Sequence, residues 1–172
     1  MSTPAHLDLL LERVYLRDFD LAAPTIPRDI EAGWKFYGMM TISSGTLDMG
    51  LGDRGYRSGC LRVEYAPNVF LARRSVLLDH PWDPQLKLGE HEEFFLRLKQ
   101  SNGVNIGVCG DANVDHMKSM WKPTSARSAV SIYAENRKRE SYFGCLALKK
   151  HNLTRLTLQG RIMRTIDPLR PC

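Results

Sequence analysis

Acidic side chains and a histidine are concentrated in residues 86–100, LKLGEHEEFFLRLKQ. Residues 90–93 are Glu, His, Glu and Glu, and carboxylates and imidazoles are the groups that most often transfer protons in enzymes. The first turn of a helix also favours acidic residues, because its N–H groups lack partners and the helix dipole is positive there. The stretch is therefore a candidate acid–base site, although an ordinary helix start would also account for it.

Hydrophobic spacing predicts a short amphipathic helix for this stretch. Its apolar face combines one histidine with three apolar residues at i, i+3, i+4 and i+7: His91, Phe94, Phe95 and Leu98. Glu93 and Arg97 are four residues apart on a neighbouring face, where they can pair. Clustered acids mark functional sites only as a tendency, so these residues by themselves favour the structural interpretation.

The composition is that of one soluble globular domain. The 172 residues are 43% hydrophobic, 25% charged and 9% aromatic, which provides apolar material for one core and excludes a disordered chain. The net charge of +5 would suit a phosphate-bearing partner, such as a nucleic acid, a nucleotide sugar or an anionic membrane. It selects none of these partners.

Targeting signals and cysteine spacing say little about the compartment in which the protein works. No apolar run approaches the roughly 18–20 residues of a membrane span, and the leucine cluster near the N-terminus contains charges, unlike a signal peptide. We therefore expect a soluble chain without a signal or anchor of its own. The cysteines form no CxxC pair and are too sparse for a disulfide scaffold, which leaves the redox compartment open: Cys60, Cys109, Cys145 and Cys172.

The first 65 residues predict a helix followed by short strands. Leucines and charges alternate at helical spacing from His6 to Arg17, and FDLAAPTIP follows as a buried strand. Between Ala32 and Tyr65, interleaved glycines predict strands joined by turns, with GLGDRGY as an exposed loop. A phosphate-binding loop is not favoured there, because no GxGxxG leads into a helix.

The elements that flank the acidic helix are also predictable. Asn68–Ala72 reads as a central strand of an α/β sheet, and the helix after it stops before Pro81. Asp83 precedes a proline, and Asp-Pro commonly starts a turn. Gly103 is expected to cap the acidic helix, and Ser125–Lys150 is expected to form a long basic helix.

Two strands are predicted after the acidic helix, in VNIGVCG and ANVDHMK. The second would carry Asp115 and His116 at its end, and strand ends are where α/β folds place ligands. The alternative is that these two residues only cap the strand or bond to the backbone.

Three blocks of the chain occur in a recognisable order: NVFLAR at 68–73, WDPQLKLGEHEEFFLRLK at 82–99 and VNIGVCGDANVDH at 104–116. Together they resemble the second half of GT-A glycosyltransferases, with a particular likeness to β-1,4-N-acetylgalactosaminyltransferases. In those enzymes an F-L-A-R strand, a D-P-x-L loop, an H-x-E-F-F-L helix and a V-D-H strand end recur. The resemblance covers roughly residues 7–150.

The resemblance implies a partial GT-A, Rossmann-like α/β domain, with a mixed sheet flanked by helices. Residues 1–118 would be its acceptor-side half, and residues 119–172 a basic, mostly helical C-terminal extension. In the family, the donor-binding half comes first and ends in a D-x-D metal motif. Asp18 and Asp20 have this spacing but follow the first helix, beyond where the motif belongs. The chain therefore resembles a fragment that is inactive alone and could self-associate through the face left exposed.

The activity implied is inverting, metal-assisted transfer of an N-acetylhexosamine such as GalNAc from a UDP-sugar to a glycan acceptor. Such a reaction needs a base for the acceptor hydroxyl. Glu90 and His91 stand at the positions of the E-D motif that supplies it, with His91 where many relatives have aspartate. Either Glu90 or Glu93 would be the base, with His91 orienting it.

The departing diphosphate needs a cation. The resemblance assigns His116 as a ligand of a divalent metal such as Mn²⁺, and Lys118 could contact phosphate oxygens. It also implies a Golgi or secretory location.

Two other classes of function compete with an enzyme. A glycosyltransferase-derived module that binds a glycan or a protein without catalysis would keep the same motifs. A nucleic-acid surface on the basic tail is not favoured, because its charges are spread as on an ordinary solvated helix.

Overall fold

The structure, a computed structural model, describes residues 4–16, 18–27, 30, 36–86, 90–115, 139 and 141–172. This part of the chain is α/β, with helices flanking two mixed β-sheets. In chain order its elements are α1 (Pro4–Tyr15), β1 (Leu21–Thr25), β2 (Met39–Ser43), β3 (Thr46–Gly50), β4 (Tyr56–Arg57), β5 (Cys60–Val63), β6 (Leu71–Ala72), α2 (Arg74–Asp79), α3 (Glu90–Ser101), β7 (Ile106–Asn113), α4 (residues 141–150), β8 (Arg155–Leu158) and β9 (Arg161–Thr165).

The first sheet has five strands in the order β4-β5-β7-β1-β6. β1 and β7 run parallel to each other, and the other neighbours are antiparallel. Leu21, Ala22 and Ala23 are fully buried, as expected for a strand covered on both faces. Leu10 and Val14 of α1 pack in one cluster with Ala22, so the predicted helix-then-strand unit is confirmed.

The main hydrophobic core joins α3 to both sheets. Phe94, Phe95 and Leu98 are buried, which confirms the amphipathic helix predicted from their spacing. The same cluster contains residues of β1 and β7 in the first sheet and of β2 and β3 in the second: Leu21, Ile106, Val108, Met40, Leu47 and Met49. This packing fixes the start of α3 against the sheets, and with it the acidic stretch.

The second sheet has the order β2-β3-β8-β9; β2 and β3 lie in the region predicted to form strands joined by turns, whereas β8 and β9 were not predicted. β2 and β3 form a hairpin, β8 runs parallel to β3, and β9 returns antiparallel to β8. Residues 155–165 therefore form strands where we expected a mostly helical extension. The two φ values at the tip, +51° at Gln159 and +77° at Gly160, match the turn that joins adjacent antiparallel strands.

Asn68–Ala72 is not a central strand, contrary to our prediction. Only Leu71–Ala72 is extended in a ladder, and it forms the edge of the first sheet beside β1. Phe70 instead turns its ring toward Trp82 and Phe94. Aromatic stacking therefore replaces strand pairing for this residue.

Two further expectations about the strand after α3 are corrected. VNIGVCG and the start of ANVDHMK form one strand, β7, in which Gly110 and Asp111 are exposed where the pairing with β1 shifts register between Cys109 and Asn113. Asn102 adopts the left-handed conformation after α3, with φ of +54°. Gly103, the predicted cap, has no positive φ.

All four cysteines are paired in two disulfides. Cys60–Cys109 links β5 to β7, and Cys145–Cys172 links α4 to the C-terminus. Such bonds persist in oxidising compartments. The helices within the described ranges include none with both the length and the apolar character of a membrane span.

Candidate functional site

Glu93 lies at the buried side of the acidic stretch. Its side chain is 0% exposed and is surrounded by three cationic or imidazole groups. Arg97 Nε donates to both carboxylate oxygens at 2.9 Å. Lys150 Nζ lies 2.8 Å and His151 Nε2 3.2 Å from Oε1. The predicted pairing of Glu93 with Arg97 is confirmed, whereas the two partners from the end of α4 were not predicted.

The surroundings of Glu93 keep it ionised. Burial alone would raise the pKa of this carboxyl, but hydrogen bonds from His151, Lys150 and Arg97 outweigh burial and lower the pKa to about 2. A carboxylate with so low a pKa accepts a proton poorly near neutral pH. The contacts of Glu93 therefore suit the anchoring of cations better than proton transfer.

His91 is held as a neutral imidazole. Burial lowers its pKa, although Glu92, the Ala66 backbone and Glu90 oppose this effect. The ring packs edge-on against Phe95, with 5.1 Å between centroids. Nδ1 is buried and has no hydrogen-bond partner among the residues that the structure describes, so this nitrogen remains able to accept a hydrogen bond. The prediction that His91 orients a neighbouring base stays a prediction.

Glu90 and Glu93 line different cavities. Glu90 lines an open cleft of about 510 Å³ together with Asn68, Val69, Phe70 and Trp82. Phe70 and Trp82 form two aromatic walls of this cleft, and Asn68 and Glu90 provide two polar groups. This combination is typical of sites for small polar organic molecules. Through this open cleft, a ligand can reach Glu90 of the acidic stretch directly.

The aromatic wall is built from three stacked rings. The centroids of Trp82 and Phe94 are 4.3 Å apart with 26° between planes, and those of Phe70 and Phe94 are 5.9 Å apart with 2° between planes. Phe94 is fully buried, whereas Trp82 is 37% exposed. The buried ring thus supports an exposed indole beside Glu90.

The turn that carries Trp82 is stabilised by Asp83. Its Oδ1 accepts a hydrogen bond from the backbone N–H of Gln85 at 2.9 Å, as expected for an aspartate that starts a turn. Its Oδ2 accepts another from Lys150 Nζ at 2.7 Å. The hydrogen bond from Lys150 is the main cause of the lowered pKa of Asp83. The structural role predicted for Asp83 is supported by these contacts.

A second, more enclosed cavity of about 290 Å³ is lined by other residues of the acidic stretch. Its walls come mainly from leucines and methionines of α3, α4, β3, β8 and β9, and His91, Glu92, Glu93 and His151 provide polar groups. The acidic stretch is therefore divided: Glu90 faces the open cleft, while Glu93 faces the interior between α3 and α4.

The structure does not describe the two residues predicted to bind the metal and the phosphate of the donor. His116 and Lys118 lie outside the described residues, and Asp115 is the last described residue before them. Asp18 is paired with Arg57 at 3.1 Å, and Asp20 is paired with Arg73 at 3.2 Å. Within the described ranges, no three His, Cys, Asp or Glu side chains are arranged to hold a metal ion.

Comparison with known proteins gives one informative similarity. No family model matches the chain. Over 98 residues, 55% of this chain, it is 34% identical to human beta-1,4 N-acetylgalactosaminyltransferase 1. The match spans only 17% of that protein's length. The similarity supports a glycosyltransferase-like relationship for the chain.

Proposed function

We propose that the chain is the acceptor-side part of a GT-A glycosyltransferase. The complete enzyme would transfer an N-acetylhexosamine such as GalNAc from a UDP-sugar to a glycan acceptor with inversion. The similarity to a human N-acetylgalactosaminyltransferase supports this sugar class, and the α/β arrangement is compatible with the fold.

The observation that carries the proposal is the open cleft beside Glu90. A sugar ring has an apolar C–H face and a rim of hydroxyl groups, and the cleft offers aromatic faces at Phe70 and Trp82 with polar groups at Asn68 and Glu90. An acceptor sugar stacked on Trp82 would bring a hydroxyl to the Glu90 carboxylate. Glu90 would then take the proton of that hydroxyl as its oxygen attacks the donor sugar.

The roles that we propose for His91 and Glu93 follow from the surroundings of these two residues. His91 remains our candidate for orienting Glu90, since it follows Glu90 directly at the start of α3. We assign Glu93 to the positioning of this site rather than to proton transfer, because Arg97, Lys150 and His151 surround its carboxylate.

Donor binding in this proposal depends on residues beyond those of the cleft. His116 would be a ligand of a divalent ion such as Mn²⁺, which supplies charge stabilisation to a leaving diphosphate, and Lys118 would contact its oxygens. Asp18 and Asp20 are committed to ion pairs, so we propose that a D-x-D motif outside this sequence completes the donor site. The 172-residue chain alone would then be inactive in transfer.

We also propose that the protein works in the Golgi or elsewhere in the secretory pathway. The two disulfides support this location, because the cytosol keeps thiols reduced.

A glycan-binding module without catalysis is the second candidate. The low pKa of Glu93, about 2, favours it, since one of the acidic residues of the motif then serves structure rather than chemistry. Both candidates need the Glu90 cleft to bind a sugar, and they differ only in whether Glu90 transfers a proton.

The experiment tests binding first and catalysis second. Saturation-transfer NMR with soluble oligosaccharides should detect binding to the 172-residue chain, and Trp82→Ala should abolish the signal. Val69→Ala provides the control, because it trims the same cleft but keeps the aromatic wall. Absence of binding to every oligosaccharide would contradict the acceptor site.

Catalysis requires a longer protein that includes a D-x-D segment. There, Glu90→Gln should lower the transfer rate by about 10²–10⁴-fold while oligosaccharide binding stays close to normal. Normal turnover in this variant would leave only the binding-module function. Transfer by the 172-residue chain alone would contradict the donor-side proposal.

A further inference from the structure

Trp82 is held through the residues on both sides of it. Arg97 Nη2 donates a hydrogen bond of 2.6 Å to the carbonyl oxygen of Pro81. On the other side, Lys150 Nζ contacts the carboxylate of Asp83 at 2.7 Å. The backbone that presents the indole is thus fixed by two cations, one from α3 and one from the end of α4.

Both cations are fixed by the same carboxylate. Glu93 contacts Arg97 Nε at 2.9 Å and Lys150 Nζ at 2.8 Å, and its own side chain is fully buried. Glu93, which anchors both cations, lies one residue before Phe94, which stacks directly on Trp82. The two residues therefore belong to one turn of α3. Any shift of the turn at Trp82 must therefore break contacts to this turn of α3.

We propose that Lys150 is a positioning residue for the sugar cleft. It bridges Asp83 and Glu93, and in doing so it holds Trp82 against Phe94 so that the indole forms a fixed wall beside Glu90. The inference rests on the proposed function and deepens it, because it makes the acceptor-binding surface depend on a residue 60 positions after Glu90 in sequence. Lys150 itself does not line the cleft.

The contacts separate positioning from overall stability. Without Lys150, Glu93 keeps Arg97 and His151 as partners, so the buried carboxylate stays compensated. Asp83 loses its cation but keeps the backbone hydrogen bond from Gln85. Removal of Lys150 should therefore loosen the turn at Trp82 without unfolding the domain.

The test uses four variants of the full chain. Lys150→Met removes the charge and keeps the length of the side chain, and Lys150→Arg restores a cation. Lys149→Met is the matched control, because Lys149 contacts the carbonyl oxygen of Arg170 and not the turn. Asp83→Asn is a second test of the same bridge from its other end, in case Lys150→Met does not fold.

Two readouts are needed. The position of Trp82 is followed by ¹⁹F NMR after labelling with 5-fluorotryptophan, and Trp82→Phe identifies its signal. Sugar binding is followed by titration with methyl β-D-galactopyranoside. In Lys150→Met and Asp83→Asn the Trp82 signal should shift toward its unfolded position, and binding should weaken about tenfold, which corresponds to about 1.4 kcal/mol. Lys150→Arg should restore both, and Lys149→Met should change neither.

The outcomes distinguish this inference from the proposed function. An unchanged Trp82 signal in folded Lys150→Met would overturn the positioning role, whatever the sugar does. If the unmodified chain binds none of the sugar, the proposed acceptor site fails, while the Trp82 signal still decides whether Lys150 fixes the indole. Weakened binding in Lys149→Met equal to that in Lys150→Met would also overturn the inference, since a general loss of positive charge would then explain both.

Discussion

Neighbouring acidic residues in one motif have different physical surroundings. Glu90 lies at a cleft open to solvent, and Glu93, one helical turn later, is buried among cations. Their sequence neighbourhood cannot separate them, because both lie in the acidic first turn of α3. Arg97 of α3 pairs with Glu93, and the position of α4 adds Lys150 and His151 to the same carboxylate.

Glu93→Gln should lower the free energy of unfolding by about 1–3 kcal/mol, the usual range for a charged hydrogen bond. The loss should depend on pH. The folded pKa of about 2 lies below the ordinary value of 4.5, so the charge stabilises the fold above about pH 4.5, and this stabilisation is lost as the pH falls through about 2. Urea unfolding at several pH values measures the effect.

The control for this substitution is Glu92→Gln, which changes a half-buried neighbour in the same turn. It should alter stability by no more than about 0.5 kcal/mol. A difference between Glu93→Gln and the unmodified protein that persists unchanged at pH 2 would contradict the low pKa.

At the scale of elements, local sequence patterns predicted most of the helices but not the strands β8 and β9 of the second sheet. Helical spacing gave α1 and α3, and a proline stop gave α2, because each signal is contained within a few turns. β8 and β9 carry arginines between apolar residues and follow a basic helix, so their local pattern resembles a continued helix. Their strand structure depends on pairing with β3, which no short window of sequence contains.

The candidate site likewise contains some residues that the sequence could predict and others that it could not. The Glu93–Arg97 pair could be predicted from helical spacing, whereas Glu90 and His91 became site candidates through the resemblance to a known family. Lys150 and His151 could not be predicted, since their contacts to Glu93 join α4 to α3 across 57 and 58 positions. Trp82 was noted only as part of a loop, and its stacking on Phe94 follows from the way the turn folds back on α3.

The turn between β8 and β9 offers a test of this unpredicted hairpin. Gly160→Ala should destabilise the protein by about 1 kcal/mol, because φ is +77° there and the left-handed region disfavours a Cβ atom. No atom lies within 4 Å of the added methyl group, so crowding cannot cause the loss. Thermal unfolding measures it.

Gly110→Ala is the matched control for the turn substitution. Its added methyl group also meets no atom within 4 Å, but its φ is not positive, so stability should stay the same or rise slightly. Equal losses at both positions would contradict the tight turn.

At the scale of the whole molecule, two covalent links and one uncovered helix face stand out. The disulfides connect positions 49 and 27 residues apart, which restricts the unfolded chain. On the outer side of α1, an apolar stripe remains exposed at helical spacing, formed by Leu7, Leu11 and Tyr15.

Each disulfide should contribute about 2–4 kcal/mol to stability, mainly by restricting the unfolded chain. Paired replacement of Cys60 and Cys109 by alanine should cost slightly more than that of Cys145 and Cys172, because the first pair closes the longer loop. Non-reducing mass spectrometry with a thiol-blocking reagent should first show no free thiols. Labelling of any cysteine in the native protein would contradict the pairing.

The stripe on α1 should promote self-association, as predicted for a chain with an uncovered face. Large exposed apolar patches favour contact with other molecules, so the average mass from light scattering should rise with concentration. Leu11→Glu should suppress this rise. The matched control is Leu78→Glu, which charges an equally exposed leucine on α2 and should leave the rise unchanged. A monomer at all concentrations would contradict the prediction.

The parallel pairing of β3 with β8 has a consequence for synthesis on the ribosome. Asp48 of β3 pairs with Thr157 of β8, 109 residues later, and translation at 5–20 residues per second needs on the order of 5–20 s to make that interval. Throughout this delay the hairpin of β2 and β3 keeps an open edge, and Leu47 and Met49 lack their partners in β8. The nascent chain is therefore most vulnerable to aggregation before its last strands emerge, and a chaperone that shields this edge would raise the yield of folded protein.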